Sequence, residues 1–342
     1  MPLIHIRFVV SLLTAVLIAL AAPASGKTIE APLDALGLSA LAERPAYLDR
    51  LHALLVAVDG EPVLAYVYEG PGMNAPVNIK SLSKTVLSAV AGIAIEKGVL
   101  DSEDQRLADL LAIPAGVDEQ VNDITVGHLL SMQAGLGRTS GRHYGAWVSS
   151  DNWVDYALRR PFADKPGGAM LYSTGSYHLL GAALVQVTDQ NLLTLTRQWL
   201  GQPLDADIPS WPTDPQGIHF GGNDMRMSPS ALLALGELYR NGGVYNGERL
   251  LSEAWIRNAW TPRGKSRYTN DDYGYGWFVT ELSGYRGYYG RGYGGQMLYV
   301  IPELALTVVM TADPSPPASP SFMRKQNRLM ESILIPAVEA AR

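Results

Sequence analysis

The chain is 342 residues long, 47% hydrophobic and 18% charged, with a formal net charge of −6. Such a composition excludes a disordered chain and gives enough apolar residues for a substantial core, while the acidic balance argues against nucleic acid as a partner. The sequence has no cysteine, which excludes disulfides, a thiolate nucleophile and a lipid attached to an N-terminal cysteine.

The chain opens with Arg7 followed by an apolar run from Phe8 to Ala22. Small residues follow at Ala22-Pro23-Ala24 and Ala24-Ser25-Gly26, the spacing of an export cleavage site. Residues 1–26 are therefore predicted as a signal peptide, with a mature chain that starts near Lys27. The apolar run is shorter than the roughly 20 residues a membrane span requires. The expected protein is exported, periplasmic or secreted, with no stable membrane anchor after cleavage. Removing Arg7 leaves 26 basic against 33 acidic residues, a mature charge of about −7.

A helix is expected around Leu33 to Glu43. The stretch Leu54 to Tyr68 is rich in Val, Leu, Ala and Tyr and is split by Asp59-Gly60, a two-residue hairpin signal. An Ala-rich helix follows from Leu82 to Lys97, closed by Gly98. From Asp101 to about Gly222 the pattern is helix and loop. A helix from Ser228 to Arg240 has Pro229 in its first turn and ends at Asn241-Gly242-Gly243. Strand character returns at Tyr275 to Thr280, Gln296 to Ile301 and Leu304 to Thr311, the last two joined by a turn at Pro302-Glu303. A loop from Pro314 to Pro320 precedes a closing helix from Phe322 to Ala341. Early and late strands around a helical middle give an α+β fold, one antiparallel sheet from both chain ends flanked by helices, with an all-helical insertion. In this division 27–100 and 223–342 form the sheet domain and 101–222 the helical one, with the active site at their junction.

The single Ser-x-x-Lys of the chain lies in Asn78-Ile79-Lys80-Ser81-Leu82-Ser83-Lys84, at the start of a predicted helix. Residues three apart share a helix face, so the Lys84 amine can approach the Ser81 hydroxyl. The amide groups of the helix start favour a developing alkoxide. Burial beside Val86 and Leu87 destabilises the lysine cation and makes the amine a better base.

The runs IKSLSKTVLSAVAGIAIEKGVL, HLLSMQAGL, PGGAMLYSTGSYHLLGAALVQVTD, YGYGWFV and RGYGGQMLYVIPE, in that order, resemble the serine β-lactamase-like family. That family includes class C β-lactamases, D-amino-acid peptidases, esterases and 6-aminohexanoate-oligomer hydrolases. The resemblance implies the β-lactamase/transpeptidase-like fold, Ser81 as acyl-accepting nucleophile, and Lys84 as its partner. It places the Tyr-x-Asn element at Tyr172-Ser173-Thr174, with Tyr172 as general base or proton shuttle; a neighbouring lysine ammonium is expected to favour its phenolate. Thr174 departs from the family's asparagine. The third element falls on Gly292-Tyr293-Gly294, where penicillin-active relatives carry a lysine or histidine, and Arg291 is the nearest replacement cation. The glycines are expected to let substrate approach the strand backbone. By the same resemblance the amides of Ser81 and Gly295 form the oxyanion hole, and Thr174, Arg291, Gly292, Tyr293 and Gly294 contact substrate.

Gly290-x-Gly292-x-x-Gly295 spells a dinucleotide fingerprint, but a strand follows where a helix must start. No Gly-x-Ser-x-Gly elbow occurs, and the six histidines show no metal-ligand spacing. Neither metal nor organic cofactor is expected. The aromatic stretch Gly141 to Trp153 either walls a pocket or anchors a loop. The expected activity is hydrolysis of a small-molecule ester or amide, with an esterase or 6-aminohexanoate-oligomer-type amidase ranked above a β-lactamase or D-peptidase. The contrasting possibility is a catalytically silent ligand-binding protein on the same fold.

Overall fold

The computed structural model describes residues 33–317 and 320–342. The predicted signal peptide, 1–26, and two residues of the loop predicted between Pro314 and Pro320 lie outside the described residues. Nine strands form one antiparallel sheet: β1 (Leu33–Asp34), β2 (Leu51–Val58), β3 (Glu61–Val67), β4 (Gly264–Lys265), β5 (Asp272–Tyr273), β6 (Phe278–Leu282), β7 (Tyr285–Gly292), β8 (Gln296–Ile301) and β9 (Leu306–Ala312). Their spatial order is β1-β3-β2-β9-β8-β7-β6-β5-β4, so both ends of the chain meet where β2 pairs with β9. Among the described residues the stretch 101–222 contributes no strand to this sheet, only helices, turns and isolated bridges.

The hairpin of β2 and β3 turns at Asp59 and Gly60, whose φ values of +51° and +83° match the left-handed pair of a two-residue hairpin turn. The helix expected over Leu33 to Glu43 is absent. Leu33 and Asp34 instead pair with β3, the Asp34 carboxylate accepts the Leu38 amide at 2.8 Å, and Gly37 at φ +68° breaks any helical path. Only one tight turn, Ser39–Leu41, remains. The expected strand from Tyr275 begins three residues later at Phe278, because Gly276 at φ +79° bends the chain first. β7 was not expected as a strand of its own; Gly287, Gly290 and Gly292 and two arginines hide its alternation. The closing helix runs Pro320–Leu329, widens into a π turn at Met330–Leu334 and resumes at Ile335–Ala340. The wider turn precedes Pro336, which has no amide to donate.

Helix α1 (Ser83–Glu96) is buried on every side from Ser83 to Ala94, as expected of a helix apolar all round. Thr85 and Ser88 tie it to the chain entering β6 by donating to the carbonyls of Gly276 and Tyr275, each at 2.7 Å. Helix α2 (Thr174–Thr188) packs against it from the helical region. Helix α3 (Pro229–Arg240), capped by Ser228 Oγ on the Ala231 amide, covers β2, β8 and β9. The end of β7 lies directly on the start of α1: a Cβ at Gly290 would overlap Leu82 and Thr85, and one at Gly292 would overlap the Ile79 carbonyl. Gly290 and Gly292 therefore serve strand-to-helix packing.

Gly292→Ala forces a backbone shift and should lower stability by about 1–3 kcal/mol in urea unfolding. Gly287→Ala, on the same strand with its nearest neighbour at 3.4 Å, should stay within about 0.5 kcal/mol. Equal effects of the two would contradict this packing account.

Candidate active site

The segment ahead of α1 is shaped by polar contacts. Lys80 adopts φ +52°, uncommon for a residue with a side chain. Its amide donates to Asn78 Oδ1 at 2.8 Å, and its ammonium pairs with Asp224 at 2.9 Å. Asn78 Nδ2 also donates to Asp224, at 2.9 Å. Ser83 Oγ donates to the Lys80 carbonyl at 2.5 Å and accepts the Met225 amide at 3.1 Å. These bonds clamp the short turn Lys80–Leu82 onto residues 224–225 and set Ser81 at the mouth of the helix.

Lys84 is 2% exposed. Its Nζ lies 3.2 Å from Ser81 Oγ, 3.2 Å from Thr174 Oγ1 and 2.6 Å from the Gly222 carbonyl. Burial pushes its pKa from 10.5 down to about 7, against a smaller upward pull from Asp224. A neutral amine has two N–H donors and one lone pair. The Gly222 carbonyl can only accept, and Thr174 Oγ1 accepts as readily as it donates, so the lone pair is left for the Ser81 hydroxyl. Ser81 Oγ also has Asn223 Oδ1 at 3.4 Å.

Tyr172 lines the same cavities as Ser81, and Lys84 Nζ lies 5.0 Å from the centre of its ring. The phenolate expected from the sequence is not favoured here. Burial raises the Tyr172 pKa and outweighs the downward pulls of the Ser81 hydrogen bond and the Arg291 charge. Thr174 does supply a lysine acceptor in place of the family's asparagine. It is fixed by Ser140, whose Oγ lies 2.9 Å from Thr174 Oγ1 and accepts the Thr174 amide at 2.8 Å. Thr139 makes the adjoining pair, with its amide donating to Ser173 Oγ at 3.1 Å and its Oγ1 accepting the Gly175 amide at 2.8 Å.

Ser81, Tyr172 and Tyr293 line two cavities. The larger, about 710 Å³, is bounded by Arg138, Tyr144, Thr174, Asn223 and Asp224 among others. The smaller, about 180 Å³, is bounded by Ser266, Tyr268, Phe278, Arg291 and Gly292. Arg291 reaches Met323 Sδ at 3.2 Å and lies 5.9 Å from the Phe278 ring centre. Among the described residues it has no carboxylate partner. Tyr293, Gly294 and Gly295 form the turn between β7 and β8. Gly295 does not sit where an oxyanion donor is needed: its amide donates to the Gly292 carbonyl at 3.3 Å, closing the turn. With Gly294 it faces a third cavity beside Phe322 that Ser81 does not share.

Gly222, Asn223, Asp224 and Ser140 were missed from the sequence. Gly221-Gly222-Asn223-Asp224 carried the only signal, two glycines that allow close approach followed by two polar side chains. The aromatic stretch Gly141 to Trp153 divides between its two expected roles. Tyr144 lines the larger cavity, whereas Trp147 and Trp153 are buried against Phe220 and His178.

The family description Beta-lactamase matches residues 49–330. No protein of curated function matches the sequence. Three solved structures share the fold. A penicillin-binding protein homolog from Caulobacter crescentus is 18% identical, with TM-score 0.66 over 83% of this chain and 91% of that one. A D-stereospecific amidohydrolase from Streptomyces sp. is 15% identical, with TM-score 0.65 over 84% and 98%. A Bacillus anthracis protein assigned as a 6-aminohexanoate-dimer hydrolase is 18% identical, with TM-score 0.64 over 83% and 80%.

The buried amine predicts a pH dependence of stability. Between pH 7 and 10.5 the unfolded chain holds a proton on Lys84 that the folded chain has released. Stability contributed by this group therefore rises with pH across that window, by on the order of a few kcal/mol, and is lost as pH falls toward 7. Urea unfolding of the wild type and Lys84→Met at pH 7, 8 and 9 reads this directly: the gap in stability should move in favour of the wild type as pH rises. Parallel pH dependences would exclude a depressed lysine.

Proposed function

The chain belongs to the Beta-lactamase family of serine hydrolases, and from that premise we propose that it cleaves an ester or amide through an acyl-Ser81 intermediate. The observation that carries this reading is the Lys84 amine, buried, with its pKa lowered to about 7 so that about half is neutral near neutrality, 3.2 Å from Ser81 Oγ. Lys84 takes the Ser81 proton as Oγ attacks the substrate carbonyl carbon. The helix mouth, with the Ser81 amide, faces the developing oxyanion. The second donor in this reading comes from Tyr293, the residue of the β7–β8 turn that shares both cavities with Ser81, and not from Gly295. Tyr172, kept protonated by burial, passes its proton to the leaving oxygen or nitrogen and is reprotonated by the Lys84 ammonium. Water then attacks the acyl carbon and gives a proton to the Lys84 amine, and the Lys84 ammonium returns that proton to Ser81 Oγ as the acyl–oxygen bond breaks, which releases the acid and restores the serine hydroxyl and the neutral amine.

We rank esterase or 6-aminohexanoate-oligomer-type amidase chemistry above β-lactam or D-peptide cleavage, since Gly292 and Thr174 take the place of side chains those activities use. The smaller cavity is the place for a carboxylate-bearing part of the substrate, because Arg291 lines it without an acidic partner among the described residues. The division into a sheet domain (27–100 and 223–342) and a helical domain (101–222), with the site between them, is part of the same reading, as is export of the mature chain.

Ser81→Ala should abolish hydrolysis of activated esters and labelling by a serine-directed phosphonate; retention of either rejects the assignment. In the wild type, acylation should rise with pH through about 7, because only the neutral amine accepts a proton. A rate unchanged from pH 6 to 8 is incompatible with Lys84 as the base. Arg291→Gln should raise KM for a carboxylate-bearing ester about tenfold and leave a neutral ester little changed. An equal loss on both esters would remove Arg291 from substrate recognition.

A further inference from the structure

The Lys84 acceptor Gly222 belongs to a backbone segment that is held from behind by a buried ionisable pair. His178, on α2, is fully buried, and its Nε2 lies 3.0 Å from Asp214 Oδ2. Its Nδ1 accepts the Gly221 amide at 3.4 Å. With Nδ1 as the acceptor, Nε2 is the nitrogen that donates to Asp214. The other Asp214 oxygen accepts the amides of Gln216, at 2.9 Å, and Ile218, at 2.8 Å, which folds 214–218 into a closed loop. Trp147, Trp153 and Phe220 enclose the imidazole with ring centres 5.4 to 5.9 Å away.

The path from this pair to the serine is short. Gly221 is pressed so closely on α2 that a Cβ there would overlap the Tyr177 carbonyl and stand 2.8 Å from His178 Cα. The next residue gives its carbonyl to Lys84 at 2.6 Å, and the one after places Asn223 Oδ1 at 3.4 Å from Ser81 Oγ. Any drift of Gly221 therefore moves both the lysine acceptor and the serine's amide neighbour. Resting on the hydrolase reading above, we infer that His178 and Asp214 are positioning residues for the reaction: through Gly221 they fix Gly222 and Asn223, and so aim the Lys84 lone pair at Ser81. They touch no substrate and line neither cavity beside the serine.

The test compares His178→Phe, which keeps the ring volume and loses both hydrogen bonds, with His178→Asn, whose side-chain oxygen can stand where Nδ1 stands. Asp214→Asn provides a further variant should His178→Phe fail to fold. The readouts are hydrogen exchange at the Gly221 amide and turnover of 4-nitrophenyl acetate per phosphonate-titrated Ser81. His178→Phe should exchange the Gly221 amide at least about tenfold faster. Its kcat per titrated site should fall roughly 10- to 100-fold with KM within about twofold, the scale expected when a reacting group is misplaced by about an ångström. His178→Asn should recover most of both. Asp214→Asn should lower kcat per site in the same direction without changing KM. Wild-type kcat per titrated site in His178→Phe, or a His178→Asn variant no better than His178→Phe, would overturn the inference. If the wild-type enzyme shows no Ser81-dependent hydrolysis, the functional reading fails on its own. The exchange measurement then still decides the restraint, with unchanged Gly221 protection in His178→Phe refuting it.

Discussion

Taking the Lys84 amine out of water is the constraint around which the rest of the molecule is arranged. An ammonium in an apolar interior is costly unless it is paired, and the alternative open to lysine is to give up its proton. Here the nearest carboxylate, Asp224, is occupied by Lys80, Asn78 and Asn223, so it only partly offsets the desolvation of Lys84. What surrounds the amine is a carbonyl and two hydroxyls, a set suited to a neutral nitrogen. These three partners come from the mouth of α1, the start of α2 and the 221–224 segment. Their convergence requires the sheet and the helical stretch to be packed together.

That assembly explains features which make little sense locally. Lys80 accepts a left-handed backbone because its amide, its ammonium and its carbonyl are each bound by a neighbour. Gly290 and Gly292 weaken β7 as a strand, yet they let it lie against α1 where no side chain would fit. The paired hydroxyls of Thr139 with Ser173 and Ser140 with Thr174 lock a loop to the first turn of α2. The same arrangement holds Tyr172 beside the serine, where burial keeps its phenol protonated. Lysine and tyrosine thus have their pKa values driven toward complementary forms, one ready to accept a proton and the other to give one.

Much of the fold could be read from the sequence because its signals are local. Asp59-Gly60 between apolar runs specifies the first hairpin, Ser228-Pro229 the start of α3, and the Ala-rich run ending at Gly98 the extent of α1. The segments misread are those where tertiary contacts override local pattern: Leu33 and Asp34 become a strand only because β3 offers an edge, and β7 survives its glycines because β6 and β8 flank it. In the site, the approach of Lys84 to Ser81 follows from helix spacing alone. Gly222, Asn223 and Ser140 reach the same few ångströms from distant parts of the chain, and nothing in their neighbours' sequence announces it. The protonation of Tyr172 was also beyond sequence reasoning, since it turns on the balance between burial and nearby charge.

The neutral amine can be observed without any substrate. In protein carrying 13C- and 15N-labelled lysine, an NMR titration that follows the Lys84 side chain from pH 5 to 11 should show a midpoint near 7, well below the ordinary lysine value of 10.5. A Lys84 midpoint at the ordinary lysine value of 10.5 would contradict the account at its centre.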